Sequence, residues 1–282
     1  MENLQSDHLD TQNLYRDMQK RTGGEIYIGV VGPVRTGKST FIKRFMDVAV
    51  LPYMEDAAQK TRAQDELPQS AGGRTITTTE PKFIPQEAVE LKLAGEVTIR
   101  VRLVDCVGFM VEGAAGHLED GAERLVKTPW YDHEIPFTQA AELGTRKVIT
   151  DHSTIGVVVT TDGSFSDLPQ ETYLDAENQA ISELKKLHKP FLVLVNSSHP
   201  SSRTAREAAE RIEKQHSVAA MPVNCAQLSE EDIRQIMEQI LYEFPVSRVE
   251  FYMPKWVEML PFSHPLKTGL IEKIRELTGK IR

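Results

Sequence analysis

The stretch Gly32, Pro33, Val34, Arg35, Thr36, Gly37, Lys38, Ser39, Thr40 fits the pattern G-x-x-x-x-G-K-S/T without mismatch. The spacing has a chemical cause. Glycines let the backbone wrap a phosphate and turn successive N–H groups inward, and the helix that follows adds its positive end. In such a loop the lysine reaches the β- and γ-phosphates and the next hydroxyl ligates Mg2+. Lys38 and Ser39 are therefore the expected phosphate and metal contacts, and residues 32–40 together are the expected nucleotide-binding loop.

A second pattern, D-x-x-G, stands at Asp105 and Gly108 at the end of "VRLVDCVG". Downstream of a phosphate loop and on a buried strand, this aspartate is placed to hold Mg2+. The Gly108 N–H is placed to meet the γ-phosphate. Between the two motifs lies "GGRTITTTEPKF", where switch proteins of the Ras-like class take a threonine to complete the Mg2+ shell. A strand-like loop exposes alternate residues, so Thr75, Thr77, Thr78 and Thr79 all stand as candidates.

The base end of the site departs from a GTPase. Ras-like GTPases carry N/T-K-x-D after the corresponding strand, and the aspartate accepts two hydrogen bonds from guanine. Here "PFLVLVNSSHP" delivers Asn196, Ser197, Ser198 and His199. Asn196 remains as a nucleotide contact, but the lysine and the carboxylate are missing. A hydrogen bond to a charged group contributes about 1.5–3 kcal/mol, so guanine preference is expected to be lost and ATP to be accepted. Phe109 follows the D-x-x-G glycine where Ras-type enzymes place a water-orienting glutamine. Water must then be positioned by another group, such as a loop threonine, Glu119, Asp120 or a neighbouring subunit. A slow or assembly-dependent hydrolase is expected.

These motifs need a scaffold, and the surrounding pattern supplies one. "EIYIGVVG" reads as a buried strand, and Phe41, Ile42, Phe45, Met46 and Ala49 mark one face of the helix after the loop. "AVELKLAGEVTIRVRLVDC" reads as a hairpin. Strands at "TIGVVVTTDG", "PFLVLVNSS" and "VAAMPVNC" alternate with helical stretches near 136–152, 170–188, 201–215 and 229–244. Ser229 is an expected N-cap; Asp232 is shorter than the usual partner, so a one-sided cap is expected. Residues 51–86 and 107–135 show no clear element, and so read as functional loops. The fold class is α/β: a Ras-like, translation-factor-like P-loop domain with a mostly parallel sheet, one antiparallel edge strand and helices on both faces. Its expected limits are 23–245. Residues 1–22 read as a polar helix or arm, and 246–282 as the start of a further module, cut short.

Composition narrows the function class. The chain has 282 residues, 40% hydrophobic and 26% charged, with a net charge of −8. An acidic surface opposes nucleic acid as the main partner. No apolar run is long enough to span a bilayer, and the polar start lacks the apolar core of a signal peptide. Two distant cysteines fit reduced thiols in the cytosol. Near the end, Leu266, Leu270, Ile274, Leu277 and Ile281 form an apolar stripe, expected to pack on protein rather than on a membrane. Lys43 and Arg44 read as a solvated helix face.

Several stretches at once resemble one family. "GGEIYIGVVGPVRTGKSTFIKRFMD", "RAQDELPQS", "TITTTEPKFIP", "RLVDCVGF", "TPWYDHEIPF" and "AAELGTRKVITDHSTIGVVVTTDGS" are similar to the stage IV sporulation protein A family of endospore-forming bacteria, from about Gly23 to about Trp256. The resemblance implies an ATPase descended from translation-factor-like GTPases, using ATP and Mg2+, with the phosphate-loop lysine at Lys38 and a nucleotide-sensing pair at Thr78 and Thr79. It further implies self-assembly into the basement layer of the spore coat, on the forespore surface in the mother-cell cytosol. The implied partners are a second copy of the chain, a small amphipathic membrane peptide and other coat proteins, the latter two through regions beyond Arg282. The competing readings are a ribosome- or tRNA-associated GTPase, opposed by the missing guanine-reading carboxylate and the acidic charge, and a non-hydrolysing structural protein, opposed by intact Lys38, Ser39 and Asp105.

Overall fold

The computed structural model describes residues 22–68, 80–93, 97–114, 118–119, 122–165, 168–244 and 251–278. The candidate threonines at 75, 77, 78 and 79 and the arm at 1–21 lie outside them. The chain divides into two compact units, the second beginning at Phe244.

The first unit is built on a sheet of six strands. They are β1 (Glu25–Val31), β2 (Lys82–Leu93), β3 (Val97–Asp105), β8 (Ile155–Thr161), β9 (Phe191–Asn196) and β10 (Ala220–Val223). Across the sheet they lie in the order β10-β9-β8-β1-β3-β2. All pairings are parallel except β2 with β3, which run antiparallel at the edge. This is the sheet expected from the sequence. Every residue of β8 and β9 is buried, as parallel strands covered on both faces require. Two short pairings intervene: β4 (Leu118–Glu119) with β5 (Ala122–Glu123), and β6 (Leu125–Thr128) with β7 (Tyr131–Pro136). Part of the stretch expected to be irregular is thus paired strand.

Helices cover the sheet. α1 (Lys38–Phe45) packs against β1 and β3, and α6 (Glu230–Tyr242) against β9. α3 (Phe137–Lys147), α4 (Leu174–Lys186) and α5 (Arg203–His216) complete the set around the sheet. Ala176, Ala180, Ile181 and Leu184 of α4 share one buried cluster with Ala208, Ala209 and Ile212 of α5 and with Val158, Val193 and Val195 of the strands. α1 and α3 each end in a π-helical turn, Met46–Val50 and Val148–His152. The chain leaves β1 for β3 on one side and returns to β8 on the other. β1 is therefore at the topological switch point, and its carboxyl end is where a ligand crevice forms.

Three expectations need correction. A helix, α2 (Ala57–Asp65), occupies the supposed loop 51–86. It has almost no apolar face, since only Ala63 is buried, and its start is set by Asp56, which accepts from the N–H groups of Ala58 and Gln59. The cap at Ser229 is a full capping box: Asp232 accepts from the Ser229 N–H at 2.8 Å, and Ser229 Oγ accepts from the Asp232 N–H at 3.2 Å. The shorter carboxylate reaches because Ser229 has extended backbone, which tips its N–H toward the helix. Arg44 is not simply solvated; its Nε donates to the Leu228 carbonyl at 2.7 Å.

The second unit contains α7 (Lys255–Glu258) and α8 (Pro265–Thr278). Lys267 is its anchor: the buried ammonium donates to the carbonyls of Glu258 and Leu260 at 2.7 and 2.9 Å. Of the apolar stripe, Leu266, Leu270 and Leu277 are exposed, and Ile281 lies outside the described residues.

Candidate functional site

The phosphate loop leaves β1 at Gly32 and enters α1 at Gly37. Gly37 has φ +100°, and a Cβ there would sit 2.3 Å from Asn196 Nδ2. Only glycine fits, because the position combines left-handed backbone with a side chain pressed against it. The loop is braced from within and below. Thr36 Oγ1 lies 3.0 Å from the Pro33 carbonyl and 2.6 Å from the Val159 carbonyl. Asn196 Nδ2 donates to the Thr36 carbonyl at 2.9 Å, while its Oδ1 accepts from the Cys225 N–H at 3.0 Å. Asn196, expected as a nucleotide contact, is here the tie between the loop and the segment after β10.

The two motifs are also zipped together. Val34 N–H donates to the Phe109 carbonyl at 2.9 Å, and Phe109 N–H donates to the Gly32 carbonyl at 3.0 Å. Pro33 has no N–H and Val34 uses its own on Phe109. Inward-facing donors must therefore come from the residues after them, starting with Arg35, whose φ of 61° turns the chain. Phe109 is wholly buried; it locks the loop to the D-x-x-G segment and cannot orient water.

Charge is concentrated where the phosphates would lie. Lys38 is buried, its Nζ donates to the Pro33 carbonyl at 2.6 Å, and burial pushes its pKa down. Asp105 Oδ2 accepts from Ser39 Oγ at 2.8 Å and Oδ1 from the Cys106 N–H at 2.9 Å. Burial nevertheless raises the Asp105 pKa, outweighing the Ser39 hydrogen bond and the Lys38 charge that lower it. A carboxylate and a hydroxyl side by side form a hard-oxygen donor pair, which suits Mg2+ completed by phosphate oxygens and water. Among the described residues, no group of three or more His, Cys, Asp or Glu could hold a metal unaided. The residues present therefore fit a metal that arrives with a nucleotide.

Gly108 has a partner within the chain. Its N–H, expected to meet a γ-phosphate, donates to Thr145 Oγ1 on α3 at 3.1 Å. Sequence reasoning missed Thr145, although it lies within "GTRKVITDH", one of the stretches that carries the family resemblance. At the base end, Ser198 N–H donates to Ser164 Oγ at 2.8 Å and His199 N–H to Ser197 Oγ at 3.0 Å. Small hydroxyls, with Asp162 Oδ1 accepting from the Ser164 N–H at 3.0 Å, thus shape the wall where the motif's carboxylate is missing. Arg146 lies 3.8 Å from Glu183 and Lys147 3.4 Å from Asp151, both as ion pairs within the chain. The Glu119 side chain and Asp120 lie outside the described residues.

The cysteines give a test of this burial. Burial pushes the Cys106 thiol from 9.0 to about 11 and the Cys225 thiol from 9.0 to about 12. At pH 8 the Cys106 shift alone lowers the reactive thiolate about 100-fold. Iodoacetamide labelling of the native chain at that pH is expected to be at least about that much slower than labelling in guanidinium, with mass spectrometry as the readout. Rapid native labelling of either cysteine would contradict the packing beneath the loop.

Residues 9–245 match the model for the stage IV sporulation protein A ATPase domain. Stage IV sporulation protein A of Clostridioides difficile (strain 630) is 48% identical over 273 residues, 96% of this chain and 56% of its own length. Those of Bacillus anthracis and Bacillus subtilis (strain 168) are each 43% identical over 274 residues, 97% of this chain and 56% of their own length. The chain thus spans little more than half the length of these relatives. By the family match over most of its residues and by its identity to three named members, the chain belongs to the stage IV sporulation protein A family.

Proposed function

We propose that this chain binds ATP with Mg2+ and hydrolyses it slowly, and that hydrolysis drives self-assembly into the basement layer of the spore coat. The observation that carries the reading is a complete phosphate loop joined to Asp105, beside a base wall, Asn196 to His199, that has no carboxylate for guanine. Lys38 holds the β- and γ-phosphates, while Ser39 and Asp105 hold the metal. A bound Mg2+ would neutralise charge developing on the phosphate oxygens. Asn196 and Thr36 keep the loop in shape. Thr78 and Thr79 are assigned, from the family resemblance, to sensing the γ-phosphate, with Thr79 as a further metal ligand.

The place of action we assign is the mother-cell cytosol at the forespore surface. Among the described residues no helix is long and apolar enough to cross a membrane. Docking to a small amphipathic membrane peptide and to other coat proteins is assigned to sequence outside these 282 residues, and nucleic acid is not among the partners. A translation-factor-type GTPase is disfavoured because its guanine-reading group is missing. Calorimetric titration tests the choice of base. ATP is expected to bind at least as tightly as GTP, whereas GTP binding about tenfold tighter, roughly 1.4 kcal/mol, would overturn the reading.

A further inference from the structure

We infer that Thr145 is a positioning residue of the phosphate site, holding the Gly108 N–H until a γ-phosphate takes it. This rests on the ATP reading above and deepens it, because it says how a triphosphate is told from a diphosphate.

Thr145 is wholly buried in α3. Its hydroxyl proton has a partner inside the helix, the Ala141 carbonyl at 2.8 Å, the back-bonding habit of threonine in helices. Oγ1 faces Gly108 as an acceptor, and Gly108 N–H donates to it at 3.1 Å, with the Cys106 thiol beside both groups. The contact spans two motifs 37 residues apart in sequence. Gly108 has φ +99°, and a Cβ on it would lie 2.5 Å from Lys38 Nζ and 2.3 Å from the Gly32 carbonyl. Gly108 therefore stands beside the ammonium that would bind a γ-phosphate. One N–H cannot serve Thr145 and a phosphate oxygen together. A charged acceptor makes a hydrogen bond roughly twice as strong as a neutral one, so a γ-phosphate displaces Thr145, while a diphosphate leaves the pair intact. Glycine, with its freedom at positive φ, lets the peptide turn between the two partners.

A second consequence concerns α3. When Gly108 leaves, Thr145 keeps Ala141 but loses its hydrogen bond to the D-x-x-G backbone. The β3 end and α3 are thereby coupled to the presence of the third phosphate.

The test compares Thr145→Val, which keeps the shape and removes the acceptor, with Thr145→Ser, which keeps the acceptor. Calorimetry gives the affinities of each variant and of the parent chain for Mg-ADP and for a non-hydrolysable imido analogue of ATP. Thr145→Val is expected to raise analogue affinity relative to ADP by about tenfold, because the triphosphate no longer competes with the hydroxyl. Thr145→Ser is expected to keep the parent ratio within about twofold. An unchanged ratio in Thr145→Val, or an equal shift in both variants, would overturn the inference. Binding of neither nucleotide by the parent chain would instead overturn the phosphate-site reading itself, and this inference with it. Should Thr145→Val fail to fold, the Gly108 amide resonance of the parent chain decides. The analogue is expected to move it and ADP to leave it in place, and movement by both or by neither would contradict the competition.

Discussion

Lys38→Ala is expected to weaken ATP binding by about 100-fold or more while leaving the fold in place. The loss follows from removing a charge-assisted donor to two phosphates, each such bond contributing about 1.5–3 kcal/mol. The unaffected fold follows from the structure. Lys38 is buried with a depressed pKa, and its hydrogen bond runs to the Pro33 carbonyl within the same loop. Alanine relieves the desolvation of an ammonium and leaves one carbonyl short of a donor, two effects of opposite sign. A denaturant melt should therefore shift by no more than about 1 kcal/mol, and calorimetry should show little or no heat of binding. Parent-like ATP affinity in this variant would remove the loop from the site.

Asp105→Ala is the second large effect. It deletes the carboxylate that sits 2.8 Å from Ser39 Oγ. Phosphate release is expected to fall at least about 100-fold, the scale of losing a metal's charge stabilisation, and added Mg2+ should no longer tighten ATP binding. The fold should lose about 1 kcal/mol, because the Cys106 N–H gives up its acceptor at 2.9 Å. The raised Asp105 pKa adds a pH signature in the parent chain. Protons compete with the metal for the carboxylate, so Mg2+ affinity should fall as pH falls, and earlier than for an exposed aspartate. Unchanged turnover in Asp105→Ala would place the metal elsewhere.

The phosphate loop was legible because it is local. Strand, loop and helix follow one another within residues 25–45. The parallel sheet was legible because β8 and β9 are mostly apolar along both faces, which two-sided burial explains. The helix Ala57–Asp65 was not, because it buries one alanine and so shows no periodicity; its only clear signal is Asp56 as cap. Asn196 was legible as a site residue but not in its observed part. Its two ends meet Thr36 and Cys225, partners 160 and 29 residues distant in sequence. Thr145 was invisible for the same reason. Nothing in the spacing of "ELGTRK" says that its hydroxyl meets Gly108; that follows only once α3 packs against the end of β3.

The base wall shows the opposite case, in which an absence in the sequence carried the argument. Asn196 braces the loop through Thr36 and Cys225, whereas the carboxylate that follows it in GTPases is absent here. Ser197 and Ser164 fill that region with short hydroxyls and backbone hydrogen bonds. On the ATP reading proposed above, the missing guanine reader leaves the phosphate half of the site intact.

The most direct measurement is phosphate release by the purified chain from ATP and from GTP, each with Mg2+ and each repeated with Lys38→Ala. The account predicts slow release from ATP that exceeds release from GTP and disappears in the variant. Release from GTP alone, or release from ATP that survives the loss of Lys38, would contradict it.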